Sequence, residues 1–193
     1  MFKGSNKWML IIPGALMVFL FVGGYFYVSS ADRIDHEELK ETLTLEGHIE
    51  EETVSVHWDW GMLPDGEIEG EEYVGVMFYD DNDEQIHGSE VVDASVTLYQ
   101  SGNETNELEG DIVDDGVIFS FPNRLDAYTV YGVEGEATIE LETTVDRAEV
   151  YYLHTWENHA GQRGDDPSFE DPPFPGMDAY DYFYWVKEIE ITN

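Results

Sequence analysis

The segment EATIELET at residues 136–143 decides the fold class, because its side chains alternate between apolar and polar. Ala137, Ile139 and Leu141 lie on one side of the alternation, and glutamates and threonines lie on the other. A period of two residues is that of a β-strand with one buried face and one solvated face. The segment therefore predicts a strand of an antiparallel sheet, with its three apolar side chains in the core.

Further segments share this β-branched and aromatic composition, and turn-forming residues separate them. These segments are 43–49, 53–60, 73–79, 91–99, 116–121, 128–133, 147–156 and 182–192. Pro64-Asp65-Gly66 and Ser101-Gly102-Asn103 are typical of tight turns between strands. About nine short strands with such spacing predict an all-β domain over residues 43–193, an antiparallel β-sandwich that is immunoglobulin-like or jelly-roll.

An apolar segment without a charged residue precedes the strand pattern at residues 9–28. Its length matches a hydrocarbon core roughly 30 Å thick at about 1.5 Å rise per residue. Lys3 and Lys7 lie before the segment and the first acid, Asp32, lies after it, so the N-terminus is predicted inside the cell. We therefore predict a cytoplasmic N-terminus at 1–7, a transmembrane signal-anchor helix at 8–31 and a stalk or short helix at 32–42.

Cleavage is the competing interpretation of this N-terminal segment. Ser29-Ser30-Ala31 resembles the small-residue site at the end of a secretory signal peptide, and cleavage near Ala31 would release the domain. The apolar segment is longer than the ~7–15 residues of a signal-peptide core, which favours an uncleaved anchor. Both interpretations place residues 43–193 outside the cytoplasm.

The composition excludes several classes of function. The chain has 43 Asp and Glu residues, 8 Lys and Arg residues and a formal net charge of −35. Such a surface repels phosphates, which excludes nucleic acid as a partner, and it indicates a saline or alkaline habitat. The chain has no cysteine, so disulfides and thiolate metal sites are excluded.

Calcium is the metal that the acidic clusters favour, and the first cluster follows the segment 73–79. Asp80, Asn82 and Glu84 have the 1, 3 and 5 spacing of the first ligands in a calcium loop. Gln85 departs from that pattern, because it stands where the loop needs glycine. A polar hairpin turn is therefore the competing interpretation.

The segment 157–181 has no strand pattern and is the predicted functional loop. It contains four prolines, three glycines and seven carboxylates. Long loops without secondary structure are uncommon in compact domains, and those that occur are usually functional or disordered. Asp165, Asp166 and Asp171 form the second candidate set of calcium ligands, and their alternative role is to keep this loop solvated.

Aromatic residues supply a candidate carbohydrate site on the last strand. Trp58 and Trp60 share one face with two valines, which predicts that both are core residues. If Trp185 also faces the core, Tyr182 and Tyr184 face outward beside acidic residues. Exposed aromatic rings beside acids are suited to holding sugars, so Tyr182 and Tyr184 are candidate ligand-binding residues.

No enzymatic motif is present in the sequence. Walker, G-x-S-x-G and H-E-x-x-H patterns are missing, and the spacing of His154 and His159 matches no zinc site. We therefore predict a membrane-anchored, non-enzymatic binding or structural module of the cell envelope, with an envelope protein or a glycan as partner. The alternatives are a calcium-dependent or carbohydrate-binding sandwich and an unrecognised extracellular hydrolase.

Overall fold

The computed structural model describes residues 7–29, 34–66, 68–126, 129–156 and 184–193. The chain divides into two units, Met1–Arg33 and Ile34–Asn193.

The first unit contains helix α1, Lys7–Ser29, with Pro13 inside it. Its described side chains, at positions 11–25, are exposed. Within the described parts of the chain, no helix is long and apolar enough to cross a membrane. The transmembrane helix predicted at 8–31 is therefore not confirmed.

The second unit begins with helix α2, His36–Thr42, and continues as a series of strands. The strands are β1 Thr44–Glu50, β2 Thr53–Asp59, β3 Glu69–Tyr79, β4 Gln85–Ile86, β5 Val91–Gln100, β6 Asn103–Glu109, β7 Asp111–Val113, β8 Gly116–Asp126, β9 Thr129–Tyr131, β10 Glu134–Leu141, β11 Arg147–Thr155 and β12 Tyr184–Thr192.

Two antiparallel sheets pack face to face as a sandwich. One has the strand order β1-β2-β10-β5-β6, and the other has the order β12-β11-β3-β8-β7, with β4 paired to β3 and β9 paired to β8. Apolar side chains from both sheets form one buried cluster between them. The predicted architecture, an antiparallel β-sandwich, is therefore confirmed.

Residues 136–141 of the segment 136–143 lie in β10, as their alternation predicts. Ala137, Ile139 and Leu141 are buried between the sheets. Trp58 and Trp60 are buried as well, which confirms their prediction as core residues. The period-two pattern was sufficient here because a strand that covers a core on one side must alternate.

Helix α2 is capped at its N-terminus and held to β12 at its C-terminus. Asp35 caps its N-terminus, since the Asp35 carboxylate accepts a 2.7 Å hydrogen bond from the Glu38 backbone N–H. At the other end, Lys187 Nζ on β12 donates to the carbonyl oxygens of Lys40 (3.0 Å) and Leu43 (2.6 Å). An ammonium group is favourable there because the last carbonyls of a helix carry partial negative charge.

Candidate functional site

A polar cluster lies inside one end of the sandwich, whose interior is otherwise mostly apolar. Val74 of β3 is the register partner of Tyr152 of β11, and both face the core. Glu72 lies two residues before Val74, and His154 lies two residues after Tyr152, so the two polar side chains share the inner face. The buried polar members are Glu72, Asn123, His154 and Thr155, each with 0% of its surface exposed, and His36, with 8%.

Glu72 is the centre of this cluster. Its Oε1 atom accepts hydrogen bonds from Asn123 Nδ2 and, at 3.4 Å, from the Thr155 backbone N–H. Both of these groups can only donate, so Oε1 acts as an acceptor. His154 Nδ1 lies 2.8 Å from the same oxygen and must therefore carry the proton in this contact.

His36 extends the chain of hydrogen bonds toward the surface. Its Nδ1 atom lies 3.0 Å from His154 Nε2. The ring centroids are 5.3 Å apart and the planes differ by 22°, so the two imidazoles meet edge to edge in nearly one plane. The result is a continuous path from the buried Glu72 carboxylate through His154 to His36 Nε2.

Tryptophan rings enclose the two imidazoles. Trp156 lies nearly parallel to both rings, with centroids 5.2 Å from His36 and 5.5 Å from His154. Trp60 meets His154 edge-on at 5.1 Å, and Trp185 lies at 4.9 Å from it. Because these rings exclude water, the hydrogen bonds inside are stronger than they would be at the surface.

The aromatic shell also determines the charge of the titratable groups. Burial, followed by the neighbouring His154, lowers the pKa of His36 from 6.5 to about 4, and the opposing effect of Asp35 is smaller. His36 is therefore neutral at pH 7. Burial, followed by the charge of Glu72, raises the pKa of the Tyr152 hydroxyl well above its usual value, and this hydroxyl accepts a 2.9 Å hydrogen bond from Trp60 Nε1.

Two buried oxygen atoms in the cluster lack a hydrogen-bond donor among the described residues. They are Glu72 Oε2 and Asn123 Oδ1. A buried acceptor without a donor costs about 1–3 kcal/mol, so such atoms are rare in folded proteins and mark a place where a water or a ligand can donate. Both atoms are fully buried, and the Tyr152 hydroxyl lies near the Glu72 carboxylate, so the partner expected here is a small donor such as a water molecule.

The loop before β3 lies beside His36. The Asp65 backbone N–H donates a 2.8 Å hydrogen bond to the Ile34 carbonyl oxygen. Gly66, at φ +119°, follows, and a Cβ atom there would lie 3.5 Å from His36 Nε2. Because that distance is an ordinary contact, the positive φ and not a lack of space favours glycine at this position.

The predicted calcium ligands Asp80, Asn82 and Glu84 form the turn between β3 and β4. Asp80 Oδ1 accepts hydrogen bonds from the backbone N–H groups of Asn82 (2.9 Å) and Glu84 (2.8 Å). These bonds, with that from Glu84 first, lower the pKa of Asp80. Across the described ranges, no three His, Asp or Glu side chains converge to hold a metal ion. Calcium at this turn stays a prediction, and the geometry matches the competing interpretation of a hairpin turn.

The structure describes only some of the other predicted site residues. Tyr184 is half-buried and packs with Tyr73, Ile118 and Leu153 in a small apolar cluster on the second sheet. The remaining predicted residues, Asp165, Asp166, Asp171 and Tyr182, lie outside the described residues, as does His159. Sequence reasoning missed Glu72, Asn123 and His36 as members of a site.

Comparison with known proteins places the chain in no family. No protein-family model matches it, and no curated protein sequence matches it. A solved structure described by the words "AvmM Catalyzes Macrocyclization in Alchivemycin A Biosynthesis" is similar at a TM-score of 0.41 and 11% identity, covering 78% of this chain and 88% of that chain. A likeness this distant carries no argument about function.

Proposed function

We propose that this chain is a membrane-anchored, extracytoplasmic binding module of the cell envelope, with its ligand site at the His36 end of the sandwich. The observation that carries the proposal is the buried path Glu72–His154–His36, with two oxygens beside it that have no donor among the described residues. A carboxylate inside an apolar core is costly to keep, and perturbed titratable groups gather at functional sites.

The strand order supports an immunoglobulin-like sandwich over a jelly-roll. When β6 to β9 are treated as an insertion, the order β1-β2-β10-β5 corresponds to A-B-E-D. The order β12-β11-β3 then corresponds to G-F-C. Sandwiches of this type are common in cell-surface recognition, which is an analogy at the level of the fold and adds to the argument from the site.

The anchor part of the proposal rests on the N-terminal sequence. Residues 9–28 carry no charge, and Lys3 and Lys7 precede them. A segment of that length, with lysines before it and acidic residues after it, favours insertion into the membrane with the N-terminus inside the cell. The remaining acidic domain is then exported as one piece.

The chemistry of the site favours an uncharged, hydroxyl-rich ligand, such as a glycan of the envelope. His36 lies at the edge of the buried cluster, and its Nε2 atom is an acceptor for hydroxyl donors; Glu72 Oε2 and Asn123 Oδ1 are buried acceptors of the same cluster. The Trp156 ring beside them offers an apolar face of the kind on which sugars pack. Anionic ligands are disfavoured because the chain carries a net charge of −35.

Titration calorimetry of the full chain in detergent micelles with neutral oligosaccharides, namely cellotetraose and chitotetraose, tests this proposal. We expect binding that His36→Ala abolishes. His48→Ala is the matched control, since His48 is an exposed histidine on β1. Binding that survives His36→Ala, or no binding of either sugar, would contradict a glycan site at His36.

A hydrolase is the second candidate, and one observation favours it. His36 is oriented by His154, which is oriented by a buried carboxylate, and this is the order of groups in a general-base relay. In ester hydrolysis, His36 Nε2 would accept a proton as a water oxygen bonds to the carbonyl carbon, and would return it to the leaving alkoxide. Turnover of p-nitrophenyl acetate that His36→Ala removes and His48→Ala retains would favour this candidate.

A further inference from the structure

We propose that a proton taken up at His36 Nε2 is passed through the His36 ring to His154, where the Glu72 carboxylate holds it. The transfer changes His36 Nε2 from a hydrogen-bond acceptor into a donor, while the heavy atoms of the path keep their places. The transfer itself needs no ligand, and only its effect on the choice of ligand rests on the proposed function.

The path can carry a proton because both of its contacts are within hydrogen-bond distance. His154 Nδ1 lies 2.8 Å from Glu72 Oε1, and His154 Nε2 lies 3.0 Å from His36 Nδ1. The first contact fixes a proton on His154 Nδ1, since Glu72 Oε1 is the acceptor. The proton of the second contact can belong to either ring, because each of the two facing nitrogens is able to donate or to accept.

Two arrangements of protons fit these distances, and they differ by one proton. In the first, both rings are neutral, His36 Nδ1–H donates to His154 Nε2, and His36 Nε2 is an acceptor. In the second, His154 is an imidazolium whose Nε2–H donates to His36 Nδ1, and His36 Nε2 carries a proton. His36 is neutral in both arrangements, so the contact between the rings is kept and only its direction reverses.

The solvent supplies the added proton through His36, which is 8% exposed, whereas His154 is fully buried. A hydronium ion gives its proton to the lone pair of His36 Nε2, and a new N–H bond forms there. The Nδ1–H bond of the same ring breaks, and its proton bonds to the lone pair of His154 Nε2. The His36 ring is left neutral, and the positive charge lies on His154.

The added charge is held on His154 because the Glu72 carboxylate is hydrogen-bonded to that ring. Complete burial of His154 opposes a charge there, but a buried carboxylate is itself costly without a positive partner, and the pair offsets both costs. Asp35 favours a charge on His36 instead, yet Asp35 is exposed and more strongly screened by water. Burial, followed by the charge of His154, lowers the pKa of His36 to about 4, so the two rings are not both charged above about that pH.

The other charged and titratable groups near the two rings lie beside the path and not in it. Asp35 precedes His36, and Asp65 lies in the loop beside it, so their negative charges attract a proton toward this end of the sandwich. Tyr152 on β11 stays neutral, because its pKa is raised well above the usual value. Lys187 on β12 binds the carbonyl oxygens at the other end of α2.

Nitrogen NMR of the full chain in detergent micelles, with 15N-labelled histidine and no ligand, tests the transfer between pH 8 and pH 5. Ring nitrogens with and without a proton resonate at well separated frequencies. As the pH falls, we expect His36 Nε2 to gain a proton, His36 Nδ1 to lose one and His154 Nε2 to gain one. A His36 ring that keeps the proton on Nδ1 while Nε2 gains one would overturn the proposal, as would rings that do not change.

Glu72→Gln separates the charge of the carboxylate from its shape. The amide oxygen still accepts the bonds from Asn123, Thr155 and His154, but no negative charge remains to hold the proton. We expect the proton affinity of the pair of rings to fall about tenfold or more. Glu50→Gln is the matched control, since Glu50 lies 3.2 Å from the exposed His48, and it should leave the transfer unchanged. An unchanged affinity in Glu72→Gln would overturn the proposal, and the wild-type spectra decide it without any variant.

Calorimetry with two neutral oligosaccharides at both pH values tests the effect on the choice of ligand. Chitotetraose has acetamide carbonyl oxygens, which accept a hydrogen bond from protonated His36 Nε2, whereas the hydroxyl groups of cellotetraose suit both arrangements. We expect the affinity for chitotetraose relative to cellotetraose to rise about threefold or more as the proton is taken up. A constant ratio overturns the effect on ligand choice. Absent binding of both sugars rejects the proposed glycan function, whereas the transfer stands or falls on the spectra.

Discussion

Trp185 Nε1 donates a 2.6 Å hydrogen bond to the backbone carbonyl oxygen of His36, 149 residues earlier in the chain. The bond is buried and joins β12 to the first turn of α2. It fixes the backbone that carries the His36 ring, because the ring and the carbonyl belong to one residue. The position of the candidate site thus depends on the last strand of the domain.

Trp185→Phe should destabilise the domain. The substitution keeps an aromatic ring between Tyr152 and His154 but leaves the buried His36 carbonyl oxygen without its donor. We expect a loss of about 1–3 kcal/mol in the free energy of unfolding, measured by urea denaturation of the full chain in detergent. Tyr184→Phe is the matched control and should change the value by less than about 0.5 kcal/mol. An unchanged midpoint for Trp185→Phe would show that the bond does not stabilise the fold.

Ser101→Asn should stabilise the hairpin between β5 and β6. Ser101 and Gly102 form its two-residue turn, at φ +53° and φ +73°. Two positive φ values are those of a type I′ turn, in which Asn-Gly is the preferred pair because asparagine tolerates the left-handed region. We expect a gain of ~0.5 kcal/mol, seen as a higher Tm. Gly102→Ser should have the opposite effect, and a lower Tm for Ser101→Asn would argue against this turn geometry.

The sheets could be predicted from the sequence, whereas the site could not. Alternation marks strands such as 136–143 and 53–60 because one side of each must enter a core. The predicted strand 73–79 does not include Glu72, which lies just before it, whereas β3 begins at Glu69. Extending the inward row of Val74, Val76 and Phe78 back by two residues reaches Glu72, and this carboxylate in an apolar row was the available signal.

The partners of Glu72 could not have been found in the same way. His154 lies 82 residues after Glu72, and His36 lies 118 residues before His154. Local periodicity says which face a side chain takes but not which distant strand lies beside it. The sequence relates His154 only to His159, at a spacing that matches no zinc site, and nothing in it links His154 to α2.

The membrane anchor can be tested by extraction. We expect the full chain to remain in the membrane fraction at alkaline pH and high salt, and a chain lacking residues 1–31 to be released. Val18→Lys places a charge in the middle of the apolar segment and should weaken insertion by about 3 kcal/mol. Release of the wild-type chain without its N-terminal residues would favour cleavage near Ala31 instead.

Calcium can be tested through thermal stability at constant high ionic strength. Asp80→Ala should lower the Tm equally with and without millimolar Ca²⁺, because Asp80 accepts two backbone hydrogen bonds of its own turn. Asp165→Asn combined with Asp171→Asn is the comparison for the second acidic set. A calcium-dependent rise in Tm that Asp80→Ala removes would place an ion in the turn, and a rise that the second variant removes would place it in segment 157–181.

The two attachments of α2 also constrain the order in which the domain can be completed. Helix α2 follows directly after the N-terminal unit, and it is among the first parts of the domain to be synthesised. Its partners Trp185 and Lys187 are among the last. During synthesis, the carbonyl oxygens of His36 and Lys40 therefore remain hydrogen-bonded to water until β12 has been made. The hydrogen bonds of α2 with β12 can therefore form only after β12 has been synthesised, as expected for a topology dominated by long-range contacts.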